Sequence, residues 1–187
     1  MMEGLSGRNR RLQYEWRTLE ERLGKRSDIV VSPLSMNADG LPVRYGVDYY
    51  IRSICGVEQM ERLGEKGVAN PPRFAAHFKM EIVLPATYPS VDGMPQFRFT
   101  TVDAAGNPIP HPWHPNIRFF GPMAGRVCLN MDDTYTDLAW GVDRIAQYLR
   151  YDLYHAVSEP PYPEDMQVAA WVVRQGEPNG WIYFDQD

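Results

Sequence analysis

Apolar residues recur at helical spacing near the start of the chain and alternate with polar residues further along. The alternation has period two, which is typical of half-buried strands, and it predicts strands over 43–51, 74–84 and 96–101. Cys55 shares the core-facing parity of the first of these strands. An amphipathic helix is predicted first, ending at Gly24, with this apolar stripe: Leu12, Trp16, Leu19 and Leu23.

Prolines and glycines interrupt the periodic pattern at several places along the chain. The stretch 56–73, rich in polar residues, glycine and proline, predicts a loop with room for a short helical turn. Periodicity disappears over 108–131, where five prolines stiffen an irregular segment, and helical spacing returns over 142–153. A last helix is predicted to begin with Pro163 at its first position.

The order of these elements predicts an α+β fold. The strands follow one another through short connections without intervening helices, which favours an antiparallel meander of about four strands. A helix precedes the sheet, and an irregular loop and helices follow it. At this length we expect one domain over 1–187, with its core at about 8–173 and a C-terminal tail over 174–187.

Charge and cysteine content narrow the function classes. The net charge of −5 argues against a general nucleic-acid-binding protein. Two cysteines, Cys55 and Cys128, suggest no disulfide framework and fit a reducing cytoplasm. We expect no membrane partner, because no apolar run approaches the ~20 residues needed to span a bilayer. The polar start of the chain does not support a secretory signal.

A set of motifs in fixed order resembles the ubiquitin-conjugating (E2) family over about residues 8–173. The predicted N-terminal helix is followed by Tyr88-Pro89, Pro95–Thr100, His114-Pro115-Asn116-Ile117, Gly125–Leu129, Trp140 and Glu159–Asp165. Twelve positions separate Asn116 from Cys128 and twelve separate Cys128 from Trp140, longer than is common in the family, and 56–73 replaces a tight turn. The chain looks most like the divergent bacterial E2-like proteins of ubiquitin-like conjugation operons, which would suggest a role in antiphage defence.

Cys128 is the candidate nucleophile. A thiol can carry an acyl group as a thioester and pass it to an amine, and the thiolate is the attacking form. The apolar neighbours Val127 and Leu129 also allow a buried structural cysteine. The resemblance implies the nucleophile.

His114 and Asn116 are candidate residues of the same site. His114 could be a general base for the thiol, as in cysteine hydrolases, or a structural residue that pins the loop backbone. Asn116 carries both donors and acceptors, and the resemblance implies that it stabilises the thioester oxyanion or buttresses the loop.

Carboxylates are the candidates for orienting an attacking lysine. Counting from Trp140, the resemblance places the acid of the family at Glu164, with Asp165 adjacent; the alternative is that both simply complement the start of a helix. Asp132, Asp133 and Asp137 lie nearer Cys128 in sequence, where they are equally compatible with a solvated loop.

The function that the resemblance implies is that of an E2-like conjugating enzyme. Its partners would be an E1-like activating enzyme, a ubiquitin-like protein and a protein target. Arg8, Arg10, Arg11 and Arg17 form a solvated face of the N-terminal segment or, as the resemblance implies, help to bind the activating enzyme. The histidines and cysteines show no metal-ligand spacing and the chain has no phosphate-cradling glycine loop, so we expect no metal and no cofactor. The alternatives are a catalytically inactive E2-like binding module and a Cys/His hydrolase.

Overall fold

The first helix, α1, spans Gly7–Leu23 in the computed structural model, which describes residues 5–129 and 135–186. The Ser6 side chain caps it by accepting the backbone N–H of Asn9, and the backbone N–H of Gly24 closes its end by donating to Glu20. Its predicted apolar stripe faces the core. Glu15 is buried among these residues and accepts the backbone N–H of Leu138 at 2.8 Å, so α1 holds the start of a later helix.

The main sheet is the predicted antiparallel meander. Its four strands are β1 (Ile29–Met36), β2 (Pro42–Tyr49), β5 (Phe78–Val83) and β6 (Gln96–Phe99), hydrogen-bonded in that order. The register places Val47 opposite Met80 and Met80 opposite Phe99, and all three side chains are buried. The α+β layout is therefore confirmed.

One predicted strand is divided in the structure. Alternation predicted a continuous strand over 74–84, but the chain breaks between β4 (Pro72–Ala75) and β5, and β4 pairs with β3 (Ser53–Val57) in a second sheet. The strand predicted over 43–51 corresponds to β2, which ends at Tyr49. The loop between β3 and β4 contains the anticipated short helical turn, a 3-10 helix at Met60–Arg62. Cys55 lies half-buried against the edge of the main core, and burial raises the pKa of its thiol.

The helices after the sheet begin at aspartate caps. α2 spans Leu138–Leu149 with Asp137 as its N-cap, so Asp137 is a buried cap and not part of a solvated loop. α3 spans Met166–Trp171 with Asp165 as its N-cap, so the prediction that Pro163 occupies its first position is wrong. A π-helical turn at Val172–Gly176 follows. Within the described ranges, no helix is long and apolar enough to cross a membrane.

A second apolar core lies beside the first. It joins β3, the irregular segment, α3 and the C-terminal tail through these buried residues: Ile54, Val57, Trp113, Tyr151, Val168, Trp171, Val172 and Ile182. Ile182 is only 1% exposed, so the tail is packed along part of its length.

Candidate active site around Cys128

Two short segments pair antiparallel beside β6 and form what we call the ribbon, residues 116–118 with 126–128. The backbone N–H of Cys128 donates to the carbonyl of Asn116 at 2.8 Å, and that of Arg118 donates to Arg126 at 2.8 Å. Ile117 pairs with Val127 between them. This register sets Asn116 directly opposite Cys128 and Arg118 opposite Arg126.

The two faces of the ribbon differ in chemistry. Ile117 is fully buried and Val127 packs against the main core. Because side chains alternate along a strand, Asn116, Arg118, Arg126 and Cys128 project from the other face. Cys128 is partly exposed there. Its thiol therefore does not occupy the interior, which was the alternative left open by its apolar neighbours.

The ribbon is fastened to β6 at Gly125. The Gly125 carbonyl accepts the backbone N–H of Phe99 at 2.8 Å, and a Cβ at this position would collide with the Phe99 carbonyl oxygen. Its φ of +92° is also one that favours glycine. Arg98 adds a side-chain anchor by donating to the carbonyls of Pro122 and Ala124 at 2.9 and 3.2 Å.

His114 lies under the ribbon with both ring nitrogens engaged. Nδ1 accepts the backbone N–H of Asn116 at 3.0 Å, so the proton is on Nε2, which donates to the carbonyl of Leu153 at 2.9 Å. The ring is 1% exposed and stacks on Tyr148. Burial lowers the pKa of His114 to about 3. This geometry supports backbone pinning and leaves no nitrogen lone pair for a general base.

The Asn116 carboxamide is oriented by one backbone contact. Its Oδ1 accepts the backbone N–H of His155 at 3.0 Å, and its side chain is buried. Within residues 5–129 and 135–186, the Nδ2 group makes no hydrogen bond. The amide is thus held by its oxygen, and its N–H donors are available to a group bound beside Cys128.

Asp165 acts as a structural junction. It is buried, with Oδ1 accepting the backbone N–H groups of Gln167 and Val168 at the start of α3. Its Oδ2 accepts the N–H of Phe119 at 2.9 Å, and its own N–H donates to Pro115 at 3.0 Å. These bonds tie α3 to both ends of the first ribbon segment.

Glu164 lies against the ribbon between two arginines. Its Oε1 accepts Nε of Arg126 at 2.7 Å and Nε of Arg118 at 3.4 Å, while its side chain is 11% exposed. Its Oε2 makes no hydrogen bond among the described residues. Of the other acids considered, Asp132 and Asp133 lie outside the described residues.

Sequence reasoning missed Arg118, Arg126 and His155. The arginines stand two positions after Asn116 and two before Cys128. Once the two segments are known to pair, this spacing of two places the arginines on the same face as Asn116 and Cys128. His155 acts through its backbone, which leaves no trace in residue type. Among the described residues there is no group of three or more histidine, cysteine or acidic side chains placed to hold a metal ion.

Comparison with known proteins finds likenesses among solved structures. No protein-family model matches the chain, and no match was found among curated proteins. A ubiquitin conjugating enzyme E2 from Plasmodium falciparum is similar at 17% identity, with 75% of this chain and 96% of that chain covered and a TM-score of 0.39. A protein described as a ubiquitin conjugating enzyme from Trypanosoma cruzi is similar at 14% identity, with 97% of each chain covered and a TM-score of 0.48. These likenesses do not assign the chain to a family.

Proposed function

We propose that the protein is an E2-like conjugating enzyme that carries a ubiquitin-like protein as a thioester on Cys128. The observation that supports this most directly is the ribbon register, which sets the carboxamide of Asn116 opposite a partly exposed thiol. A neutral, buried His114 fixes the backbone beneath the pair. The arrangement suits acyl transfer because one side chain supplies a nucleophile and its neighbour supplies N–H donors.

The first step would be an exchange of thioesters. The Cys128 thiolate attacks the acyl carbon that joins the C-terminus of the modifier to a cysteine of the activating enzyme. A new C–S bond forms, the old C–S bond breaks, and the E1 thiolate leaves. One thiol and one thioester are present both before and after the exchange, so the protein needs no ATP and no cofactor of its own for this step.

The second step would be attack by a lysine amine. The neutral amine forms a C–N bond, the C–S bond to Cys128 breaks, and the proton that the nitrogen loses passes to the departing thiolate, which restores the thiol. Charge develops on the carbonyl oxygen meanwhile, and Asn116 Nδ2 is the donor we expect to stabilise it. Glu164 is the acid we expect to orient the incoming ammonium, since its Oε2 is left without a hydrogen bond by the described residues.

The partners would be an E1-like enzyme, a ubiquitin-like protein and a lysine-bearing target. Arg8 and Arg11 are held by contacts within the chain, to the Pro85 carbonyl and to Glu15. Arg10 and Arg17 are exposed on α1, so we expect these two to meet the activating enzyme. A cytoplasmic location and a bacterial conjugation operon remain predictions that the neighbouring genes would test.

The alternative functions make different demands on the residues around Cys128. A Cys/His hydrolase needs an imidazole nitrogen free to take the proton of the thiol, and both nitrogens of His114 are engaged. An inactive binding module would hold the modifier noncovalently and would have no need of a thiol opposite Asn116.

Adduct formation tests the proposal. The protein is incubated with an E1, a ubiquitin-like protein and ATP, then resolved on a non-reducing gel. We expect an adduct that thiols remove, that disappears in Cys128→Ala, and that becomes a thiol-resistant ester in Cys128→Ser because an oxygen ester resists thiol exchange.

The other cysteine supplies the matched control. Cys55→Ser removes a half-buried thiol from β3 and should leave the adduct intact. An adduct lost in Cys55→Ser and kept in Cys128→Ala would refute the assignment. Noncovalent binding of the modifier with no adduct under any condition would favour the binding module.

A further inference from the structure

Lysine is rare in this chain and arginine is common. The sequence contains 3 lysines and 16 arginines, although lysine is normally among the commonest residues of a globular protein. The three are Lys25, Lys66 and Lys79, so positions 80–187, which carry the candidate nucleophile and its neighbours, contain no lysine at all. Wherever that part of the sequence has a long cationic side chain, the residue is arginine.

The two cationic side chains differ in what they do to a thioester. Both are positively charged at neutral pH, but a lysine that loses a proton exposes a lone pair that attacks an acyl carbon. A guanidinium is not deprotonated in proteins and offers hydrogen-bond donors only. An arginine beside a loaded cysteine therefore supplies charge and hydrogen bonds without reacting with the thioester.

Arg126 occupies a position where an amine would react. It stands two residues before Cys128 on the same face of the ribbon, which puts the two residues about 7 Å apart from a rise of about 3.3 Å per residue. Its Nε donates to Glu164 Oε1 at 2.7 Å, and Arg118 contacts the same carboxylate from the opposite segment. Glu164 is the acid that we expect to orient an incoming ammonium. An amine in place of the Arg126 guanidinium would thus have both an acyl carbon and an orienting carboxylate within reach.

Lys79 lies too far from the thiol to react with it. The ribbon extends the main sheet beyond β6, because Arg126 pairs with Arg98. The register of β6 with β5 then brings Cys128 level with Val83, four residues along β5 from Lys79. Four residues along a strand and two strand spacings across the sheet amount to about 16 Å, which is more than a four-carbon stem spans.

The other two lysines belong to other parts of the fold. Lys25 follows the end of α1, and Lys66 lies in the loop between β3 and β4. Within the described ranges, neither side chain forms an ion pair with Glu164, whose two cationic partners are both arginines of the ribbon. The natural lysines are therefore placed away from the acid and the thiol that would carry out aminolysis.

We propose that arginine in place of lysine at positions 118 and 126 keeps the loaded protein from acylating itself, so that the thioester reacts with amines of other molecules. This inference rests on the proposed function. In the reaction that is avoided, a neutral side-chain amine attacks the acyl carbon, a C–N bond forms, and the C–S bond to Cys128 breaks. The proton that the nitrogen loses passes to the departing thiolate. The product is an amide on the protein's own side chain, which removes the acyl group from transfer.

Arg126→Lys tests this by supplying the missing amine at unchanged charge. The full-length protein, with Cys55→Ser to remove the other thiol, is loaded with the benzyl thioester of acetylglycine, from which the Cys128 thiolate displaces benzyl mercaptan. Excess donor is removed, and the protein is held at about pH 8, where more of each lysine is neutral than at pH 7. Hydroxylamine then cleaves the thioester but leaves an amide. Intact-mass spectrometry measures the amide, and peptide mapping locates it.

We expect Arg126→Lys to form an amide at position 126 at least about tenfold faster than the parent forms an amide anywhere, because the attack is intramolecular. Arg118→Lys places the amine diagonally across the ribbon from Cys128, at about 7–8 Å, and should give its own amide more slowly. The combination of Arg126→Lys with Cys128→Ala should form none, which shows that the donor does not acylate the new amine directly.

Arg62→Lys is the matched control. The Arg62 side chain is 50% exposed and contacts Glu65 through Nε, whereas that of Arg126 is 48% exposed and contacts Glu164 through Nε. Arg62 lies in the loop between β3 and β4, so its replacement adds an equally exposed, acid-paired amine away from Cys128. We expect no more amide from this variant than from the parent. As much amide in Arg62→Lys as in Arg126→Lys would contradict the assignment to positions beside the thiol.

The two proposals fail in different ways. No acyl group on Cys128 would overturn the proposed function and this inference with it. Two other results would overturn only the inference. One is a loaded Cys128 that gives no amide in either Arg126→Lys or Arg118→Lys, and the other is a parent protein that moves the acyl group to an amine of its own as fast as these variants do.

Discussion

The burial of His114 should make the stability of the protein depend on pH in a definite direction. The ordinary pKa of histidine is 6.5 and burial lowers that of His114 to about 3, so between these values the unfolded chain binds a proton that the folded chain does not. The free energy of unfolding must therefore fall as pH falls through this window. At about 1.4 kcal/mol per pH unit, lowering the pH from 6.5 to 5 should cost about 2 kcal/mol from this residue.

Urea unfolding followed by circular dichroism at pH 7, 6 and 5 measures this loss. His114→Gln should be less stable at pH 7, because it loses the acceptor for the Asn116 N–H, and its stability should depend less steeply on pH by about the amount given above. His155→Gln changes a half-buried histidine while leaving His114 in place, and serves as the matched control, which should keep the contribution of His114 to the slope.

The same reasoning can be checked directly on the imidazole. NMR titration of the ring should show His114 neutral, with the proton on Nε2, down to pH 5. A ring that titrates between pH 6 and 7 in the folded protein would refute the argument from burial. Such a result would also restore the general-base role that the hydrogen bonds of His114 argue against.

Two further predictions concern the framework of the site. Asp165→Ala removes a helix cap and leaves the Phe119 N–H without its acceptor, and should cost about 2–4 kcal/mol in urea unfolding, whereas an unchanged midpoint would contradict the junction role. Gly125→Ala adds a collision with the Phe99 carbonyl to an unfavourable φ, so it should destabilise the fold more than Gly106→Ala does. Gly106 has a similar φ of +83° but open space around it. Equal losses of stability in thermal unfolding would show that the collision is relieved.

The main sheet was largely predictable because its inner strands bury one face only. β2 and β5 alternate between buried and exposed side chains, and the sequence carries that alternation plainly. β1 was missed because it lacks a clear alternation of buried and exposed side chains. It is an edge strand with mostly exposed residues, and it contains Pro33 and two serines, so its pattern resembles a loop.

The division of the strand expected over 74–84 could not be predicted from alternation. Apolar residues continue across the bends at residues 50–52 and 76–77 because both sheets bury one side of their strands. Alternation records which side chain is buried, but not against which sheet. The start of α3 was missed by a related ambiguity, since an aspartate fits the N-cap as well as the first turn, and tertiary contacts of Asp165 decide between them.

The motif resemblance was enough to nominate Cys128, Asn116 and His114, but not to show what surrounds them. The tautomer of His114 depends on the Leu153 carbonyl, 39 positions away. The arginine pair depends on the ribbon register, which depends in turn on where the chain reverses between residues 118 and 126. Such facts are fixed by tertiary contacts, so no local pattern carries them.

Two stretches singled out in the sequence, the long spacing from Asn116 to Cys128 and the loop at 56–73, pack into one cluster with the C-terminal tail. The long spacing between Asn116 and Cys128 is taken up by a reversal of the chain beyond the paired residues, between residues 118 and 126. Phe119 and Phe120 begin the reversal and pack against the second core, as do Met60 and Leu63 from the loop between β3 and β4. The C-terminal tail adds Trp181, Ile182 and Phe184 to the same core. These separate segments therefore pack in one cluster, and because that cluster holds Phe119, the residue following Arg118, it bears on the geometry of the ribbon.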